Sequence, residues 1–401
     1  MPISYHLGLW AALFMVVASV IKIVVSRHVG NTALSKFMRW ECVSIIIYWL
    51  LCFISMLYTS DVEEGWSSMR IKSSLLILPL CVLLCDTSYL KAKHLRGVGY
   101  AIVCAVTVVF FYLLGKALLN VSEGMNVVAA FSSQFDTRHH SYVAIYIVMS
   151  LLFVVYELKN NRSSIPQWLV VAMSIYSAIG VLYIEIVNSR AGLLGLYLLL
   201  GAVIAFMVFE KRKWWSIVLL ALFIGGYTFT LEKTLPGHTN RITQTIENVA
   251  KDNTSDARIK INHSSVELSK SSFFFGYGVG DYQDLLQQQY ATDNYFPTSH
   301  FNAHNQYMEC ILAIGFVGCI PVLFFLLTPV VYVLRKKLKI WPYILVATIV
   351  VLLNLLFESM LERLMGVLFI TLIYTFMILV ISCQENIFVG NKKKDVPLQR
   401  F

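Results

Sequence analysis

Charge is what this sequence has least of. Only 14% of its 401 residues are Asp, Glu, Lys or Arg, against roughly 25% in an ordinary soluble domain, and that shortage excludes a water-soluble fold. In place of charge stand apolar runs of about 20 residues. That is the length of a helical span, and not the alternating stretches of about 10 that mark a transmembrane barrel. Cysteine is absent from the one long polar stretch. All eight cysteines (Cys42, Cys52, Cys81, Cys85, Cys104, Cys310, Cys319 and Cys383) lie in or beside apolar runs, so neither a disulfide framework nor a thiolate metal site is implied. Also missing are a P-loop, an HExxH pair, a repeat of 20–50 residues and a low-complexity linker. The formal charge of +9 is no nucleic-acid footprint, because the basic residues punctuate the apolar runs. The fold class expected is an all-α polytopic membrane protein.

Eleven apolar runs fall at roughly 7–26, 41–58, 74–90, 98–119, 141–158, 167–187, 191–209, 214–231, 306–334, 341–357 and 364–383. The first has Lys22 and Arg27 at its far end, the reverse of a cleaved signal peptide, and reads as a retained span. The run at 306–334 exceeds what a bilayer needs, which implies tilt or extra turns outside. Alternate connections carry the basic clusters: Arg27, Lys36 and Arg39; Lys91, Lys93 and Arg96; Lys159 and Arg162; Lys211, Arg212 and Lys213; Arg335, Lys336, Lys337 and Lys339; Lys392, Lys393, Lys394 and Arg400. The opposite set, outside the long loop, holds only Arg70, Lys72, Arg138, Arg190 and Arg363. The basic set is cytoplasmic by the positive-inside rule, which puts the long loop, Arg190, Arg363 and the 120–140 loop outside. The expected division is 1–231 N-terminal spans, 232–303 external loop domain, 304–390 C-terminal spans and 391–401 a disordered cytoplasmic tail.

Chemistry is expected where polar residues gather. Ser299-His300-Phe301-Asn302-Ala303-His304-Asn305 ends the loop and runs into a span. A helix there would put His300 and His304 on one face. His304 is read as a general base, since an imidazole can accept a proton near neutral pH; a capping histidine and, more weakly, a metal ligand are the alternatives. Asn188-Ser189-Arg190 is a connection of about three residues between two spans. Its Arg either snorkels or offers a planar, permanently charged fork to a diphosphate. Asp256 to Lys270 reads as a short helix with Arg258 in its first turn, where N–H groups also favour an anion; a solvated Arg is the alternative. Gly276, Gly278 and Gly280 lack the spacing of a nucleotide loop and read as a tight turn packed by aromatics. Glu185, Glu358, Glu362 and Arg363 sit near span ends, where intramembrane charge is often functional. Pairing among neighbours along one helix explains them equally well.

Three stretches in order resemble the O-antigen ligase family of bacterial inner-membrane proteins. They are Asn188-Ser189-Arg190-Ala191-Gly192-Leu193-Leu194; Arg258 with Phe274-Phe275-Gly276-Tyr277-Gly278-Val279-Gly280; and Ala303-His304-Asn305-Gln306-Tyr307 with Glu309 and Gly315-Phe316-Val317-Gly318. They cover about 188–318, while the flanking spans fit by number and hydrophobicity. The resemblance implies a GT-C-like bundle that transfers O-antigen from undecaprenyl diphosphate to a lipid A–core sugar at the periplasmic face of the inner membrane. It implies no nucleotide, metal or other cofactor, and no nucleic-acid partner. By the same resemblance, Arg190 and Arg258 hold the donor diphosphate and His304 activates the acceptor hydroxyl. The family usually has twelve spans with both termini inside, whereas eleven are counted here. An O-antigen polymerase and a protein O-oligosaccharyltransferase would share the donor site. A transporter or flippase would instead show mid-span charges, inverted repeats or broken helices.

Overall fold

In hydrocarbon a chain must satisfy its backbone polar groups internally, so apolar runs of this length become helices. The computed structural model describes residues 5–27, 29–31, 34–127, 130–131, 140–211, scattered positions between 215 and 233, 257–295 and 301–394. Its helices are α1 (Tyr5–Ser26), α2 (Lys36–Ser55), α3 (Val62–Lys72), α4 (Ser74–Leu84), α5 (Ala92–Ser122), α6 (His140–Asn160), α7 (Gln167–Val187), α8 (Arg190–Lys211), α9 (Ala257–Ser269), α10 (Tyr282–Thr292), α11 (Gln306–Arg335), α12 (Trp341–Phe357) and α13 (Leu364–Lys394). Among the described residues there is no strand. Among the described residues, eight helical stretches are long and apolar enough to cross a membrane, with Val16–Val25 and Trp341–Phe357 as shorter apolar helices. The chain is an all-α polytopic membrane protein. The expected run at 214–231 lies mostly outside the described residues.

Burial ranks the helices. The apolar window of α6 is 72% buried and that of α5 only 28%, so α6 is the central post and α5 stands at the rim. The α6 post packs on α5, α7, α8 and α12, while α11 packs along α2 and α12. Two expectations change. The connection before the third run is itself helical: α3 continues almost directly into α4, capped at its start by the Asp61 side chain, which accepts from the Glu64 N–H. The first residues of the tail expected to be disordered continue α13 to Lys394, and the rest of it lies outside the described residues.

The overlong run is not one straight span. At Gly315 the backbone leaves the helical region (φ 77°, ψ 179°), which opens α11 after its first turns and frees carbonyls. The aromatic–glycine segment of the loop fills the gap with its own backbone. Tyr277 N–H donates to the Leu312 carbonyl (2.7 Å) and Gly278 N–H to Ala313 (2.8 Å), while Phe316 N–H donates to Phe273 (2.7 Å). The expected aromatic turn is therefore an insertion into a broken helix. Only glycine suits two of its positions. A Cβ on Gly315 would collide with the Phe274 carbonyl, and one on Gly276 (φ 68°) would stand 2.5 Å from the Ala313 carbonyl carbon. The same segment reaches the α2–α3 connection, where the Asp281 carboxylate accepts from Ser60 N–H and Asp61 N–H, both at 2.7 Å.

A Gly315→Ala substitution should therefore combine left-handed strain with a backbone collision and cost about 2–4 kcal/mol. Gly201→Ala in α8, whose added Cβ meets nothing within 4 Å, should be neutral or slightly stabilising. Thermal unfolding of the two purified variants in detergent checks this: equal midpoints would show that the insertion carries no stability.

Candidate active site

Five chain segments that are far apart in sequence meet at one end of the bundle. Asn188 closes α7 in the left-handed conformation (φ 55°, ψ 41°), its N–H bonded to the Ile184 carbonyl, and Asn is one of the few non-glycine residues at home there. The chain turns at once. Ser189 stands at the head of α8 with its carbonyl accepting from Leu193 N–H (2.8 Å), and Arg190 is the first helical residue. Arg258 is the second residue of α9, in the first turn as its sequence implies. The helical face expected for His300 and His304 does not form, because α11 begins only at Gln306. His304 precedes it in the left-handed region (φ 45°), and the Asn305 side chain caps the helix by accepting from Tyr307 N–H and Met308 N–H. His300 lies outside the described residues.

The group that joins these segments is Glu358, which follows α12. Its side chain is only 4% exposed. One oxygen accepts from the Ser141 hydroxyl at the start of α6 (2.9 Å) and from the Arg258 guanidinium (3.3 Å). The other oxygen lies 3.9 Å from His304 Nδ1. Ser141 and Ser189 are themselves in hydrogen-bond contact at 3.0 Å, which places Arg190 one residue from the network. Arg258 also donates to the Phe357 carbonyl (3.0 Å) and stacks near the Phe357 ring (6.0 Å). The Arg258 and His304 side chains stay 26% and 20% exposed, so both keep an edge toward solvent while Glu358 does not.

A second layer holds the Glu358–Glu362 connection against the head of α11. Gln306 takes Leu361 N–H on its side-chain oxygen (2.6 Å) and donates to Glu362 (3.3 Å). Glu309 accepts from Ala303 N–H (2.7 Å) and the Ser359 hydroxyl (2.9 Å), and so grips the residues on both sides of the site. Lys72, at the end of α3 and 1% exposed, pairs with Glu362 and donates to Ser68 (2.8 Å). Burial, and then the neighbouring Glu309 and Glu362 carboxylates, push the Tyr282 phenol well above its usual value. It thus stays a protonated donor beside them.

Sequence reasoning placed Arg190, Arg258 and His304 at one end of the bundle. It underweighted Glu358 and Glu362 by pairing them along one helix: the helix ends at Phe357 and both carboxylates turn to other segments. It missed Lys72 altogether by reading it as a topological charge. The available signal was three carboxylates (Glu309, Glu358 and Glu362) in apolar surroundings, which require cations from somewhere. Residues 175–323, from within α7 into α11, match the family model described as O-antigen ligase. No curated protein matches the chain. The matched segment contains Arg190, Arg258 and His304 but stops before Glu358.

Breaking the Lys72–Glu362 pair from one side leaves a buried charge unanswered. Lys72→Met alone should lower stability by about 3–5 kcal/mol, and the Lys72→Met/Glu362→Gln double variant should recover most of it. Thermal unfolding of the three proteins decides: a double variant no better than the single would mean that the pair is not the relevant partner.

Proposed function

Because residues 175–323 match the family model described as O-antigen ligase, we propose that this chain transfers polymeric O-antigen from undecaprenyl diphosphate to a sugar of the lipid A–core. The family match supports glycosyl transfer of the O-antigen ligase and polymerase type on lipid-linked glycans. The proposal goes further and names the reaction, the side of the membrane and the residues. The observation that carries it is the single buried carboxylate of Glu358, shared by Arg258 and His304. It couples an anion-binding group to a base.

In the proposed reaction the acceptor hydroxyl attacks the anomeric carbon of the donor. The C–O bond to the diphosphate breaks as the new glycosidic bond forms on the opposite face, so the anomeric centre inverts. His304 takes the hydroxyl proton. Its Nδ1 faces Glu358, so the tautomer protonated there leaves Nε2 as the acceptor, and the carboxylate stabilises the imidazolium that forms. A separation of 3.9 Å is longer than a hydrogen bond, and a base–orienter contact that tightens only with substrate bound is common. The leaving group is a diphosphate and needs no protonation if guanidinium groups at Arg190 and Arg258 absorb its charge. Both reactants are lipid-anchored and reach the site within the periplasmic leaflet of the inner membrane.

The broken helix at Gly315 would favour a transporter if its freed carbonyls lined a cavity. They are taken up by loop N–H groups instead, which argues for a fixed support.

Cells lacking the chain and complemented with wild type should regain the long-chain lipopolysaccharide ladder on gels. His304→Ala at matched expression should leave only core–lipid A, with lipid-linked polymer accumulating and turnover down by about 10²–10⁴. Glu358→Gln removes a charged hydrogen-bond partner and should lower the rate roughly 10–100-fold. A ladder restored by His304→Ala would remove it as the base. Core bearing a single repeat unit in the deletion strain would reassign the chain as a polymerase.

A further inference from the structure

The end of the bundle opposite the candidate site holds a second arrangement, where α5 and α13 wall an open space. A cavity of about 390 Å³ opens there between α5, α6, α12 and α13, with Lys93, Arg96, Tyr156, Asn161, Tyr343 and Gln384 among its walls. A second cavity of about 290 Å³ shares Leu95, Met149, Ile373 and Phe376 with it and continues between α5, α6 and α13. Together they make one groove with a polar, basic mouth and an apolar interior. Tyr146 and Phe369, in ring contact at 4.7 Å, wall its far end, short of Ser141.

Two features select the occupant. The first is depth. The groove follows α5 from Ala92 to Val106, about 21 Å at 1.5 Å per residue. That is one leaflet of a hydrocarbon core about 30 Å thick plus its interface, the reach of an acyl chain and far short of a long polyprenyl tail. The second is charge. Arg96 is matched by Glu157, which takes two of its N–H groups at 3.0 and 2.6 Å, whereas Lys93 lies exposed at the mouth. Lys159 adds a cation 5.9 Å from the ring of Tyr343, which lines the same mouth, so Lys93, Arg96 and Lys159 stand there against the Glu157 carboxylate and the mouth carries a net positive field. Basic pockets between spans take phospholipid headgroups, and cavities of several hundred Å³ with a few polar groups at one end are ligand sites.

We propose that this groove binds an anionic glycerophospholipid of the bilayer, its phosphate at Lys93 and the outer edge of Arg96, one acyl chain lying along α5 to the Tyr146–Phe369 pair. The lipid completes a wall that protein packing leaves open and holds α5 to the bundle. This site is independent of the glycosyl-transfer reading, since Glu358, Arg258 and His304 are not among the residues that line it.

The test is native mass spectrometry of the full chain in detergent, titrated with phosphatidylglycerol or with phosphatidylethanolamine of the same acyl length. Wild type should retain phosphatidylglycerol with about 5-fold preference, the contribution of one basic residue at an anionic headgroup. Lys93→Glu, a change at an exposed position, should abolish the preference while leaving some lipid bound. Ile373→Trp, which fills the groove, should lose both adducts while eluting as a single folded species. Equal retention of both lipids by wild type, adducts unchanged in Ile373→Trp, or a co-purified polyprenyl phosphate in place of phospholipid would each overturn the assignment.

Discussion

A carboxylate withdrawn from water at the end of a span must be answered by positive charge, and Glu358 is that carboxylate. Removing an ion from water costs several kcal/mol even after relaxation, so nothing in α12 alone could hold it there. The answer comes from other segments: a hydroxyl at the start of α6, a guanidinium from α9 and an imidazole ahead of α11. Each supplies a donor or a cation that would have little reason to stand at that position otherwise. The charge balance of one side chain thus fixes where α9 sits on the bundle, and the candidate site is a by-product of that balance.

The same logic repeats one layer back, with a division of labour. Lys72 answers Glu362, while Gln306 and Glu309 answer with hydrogen bonds to the backbone and to Ser359. The head of α11 and the connection after α12 are therefore one rigid piece. His304 lies between Ala303, which Glu309 holds, and Asn305, which caps the helix. That bracketing lets it keep a left-handed backbone, a conformation uncommon for any residue other than glycine and cheap only where the surroundings over-determine it. The break at Gly315 extends the piece further: the loop backbone is spliced into α11, and the loop's aspartate at 281 caps the α2–α3 connection.

How far this could be read from the sequence follows from the range of each interaction. Spans are legible because hydrophobic length is a local property, and ten of the expected runs correspond to described helices. Arg190, Arg258 and His304 stand out in the sequence because each sits in a short stretch with a recognisable chemical character, and the structure brings Arg258 and His304 to one carboxylate, Glu358. Glu358 and Lys72 were not, because their partners lie far away along the chain: Ser141 is 217 residues from Glu358, Arg258 is 100, and Lys72 is 290 from Glu362. No spacing rule reaches that far. The helix break was hidden for another reason. Gly315 sits in an apolar run that reads as continuous, and only the loop glycines that dock against it give the break a purpose.

The central helix connects the two ends of the molecule. Ser141, in the first turn of α6, bonds Glu358 and Ser189. Glu157, in its last turn and fully buried, holds the Arg96 fork, the Tyr100 hydroxyl (2.8 Å) and the Asn161 amide (2.9 Å). A slide of one helical turn, about 5.4 Å, would break both sets at once and leave a carboxylate unpaired at each end. A post pinned in this way cannot be the moving part of the machine. The wall behind the site is accordingly fixed, and what remains adjustable is its exposed edge, where Arg258 and His304 keep part of their surface in solvent. On the proposed reading, a long glycan donor and its acceptor approach a preset site from that edge, and the bundle does not open to receive them.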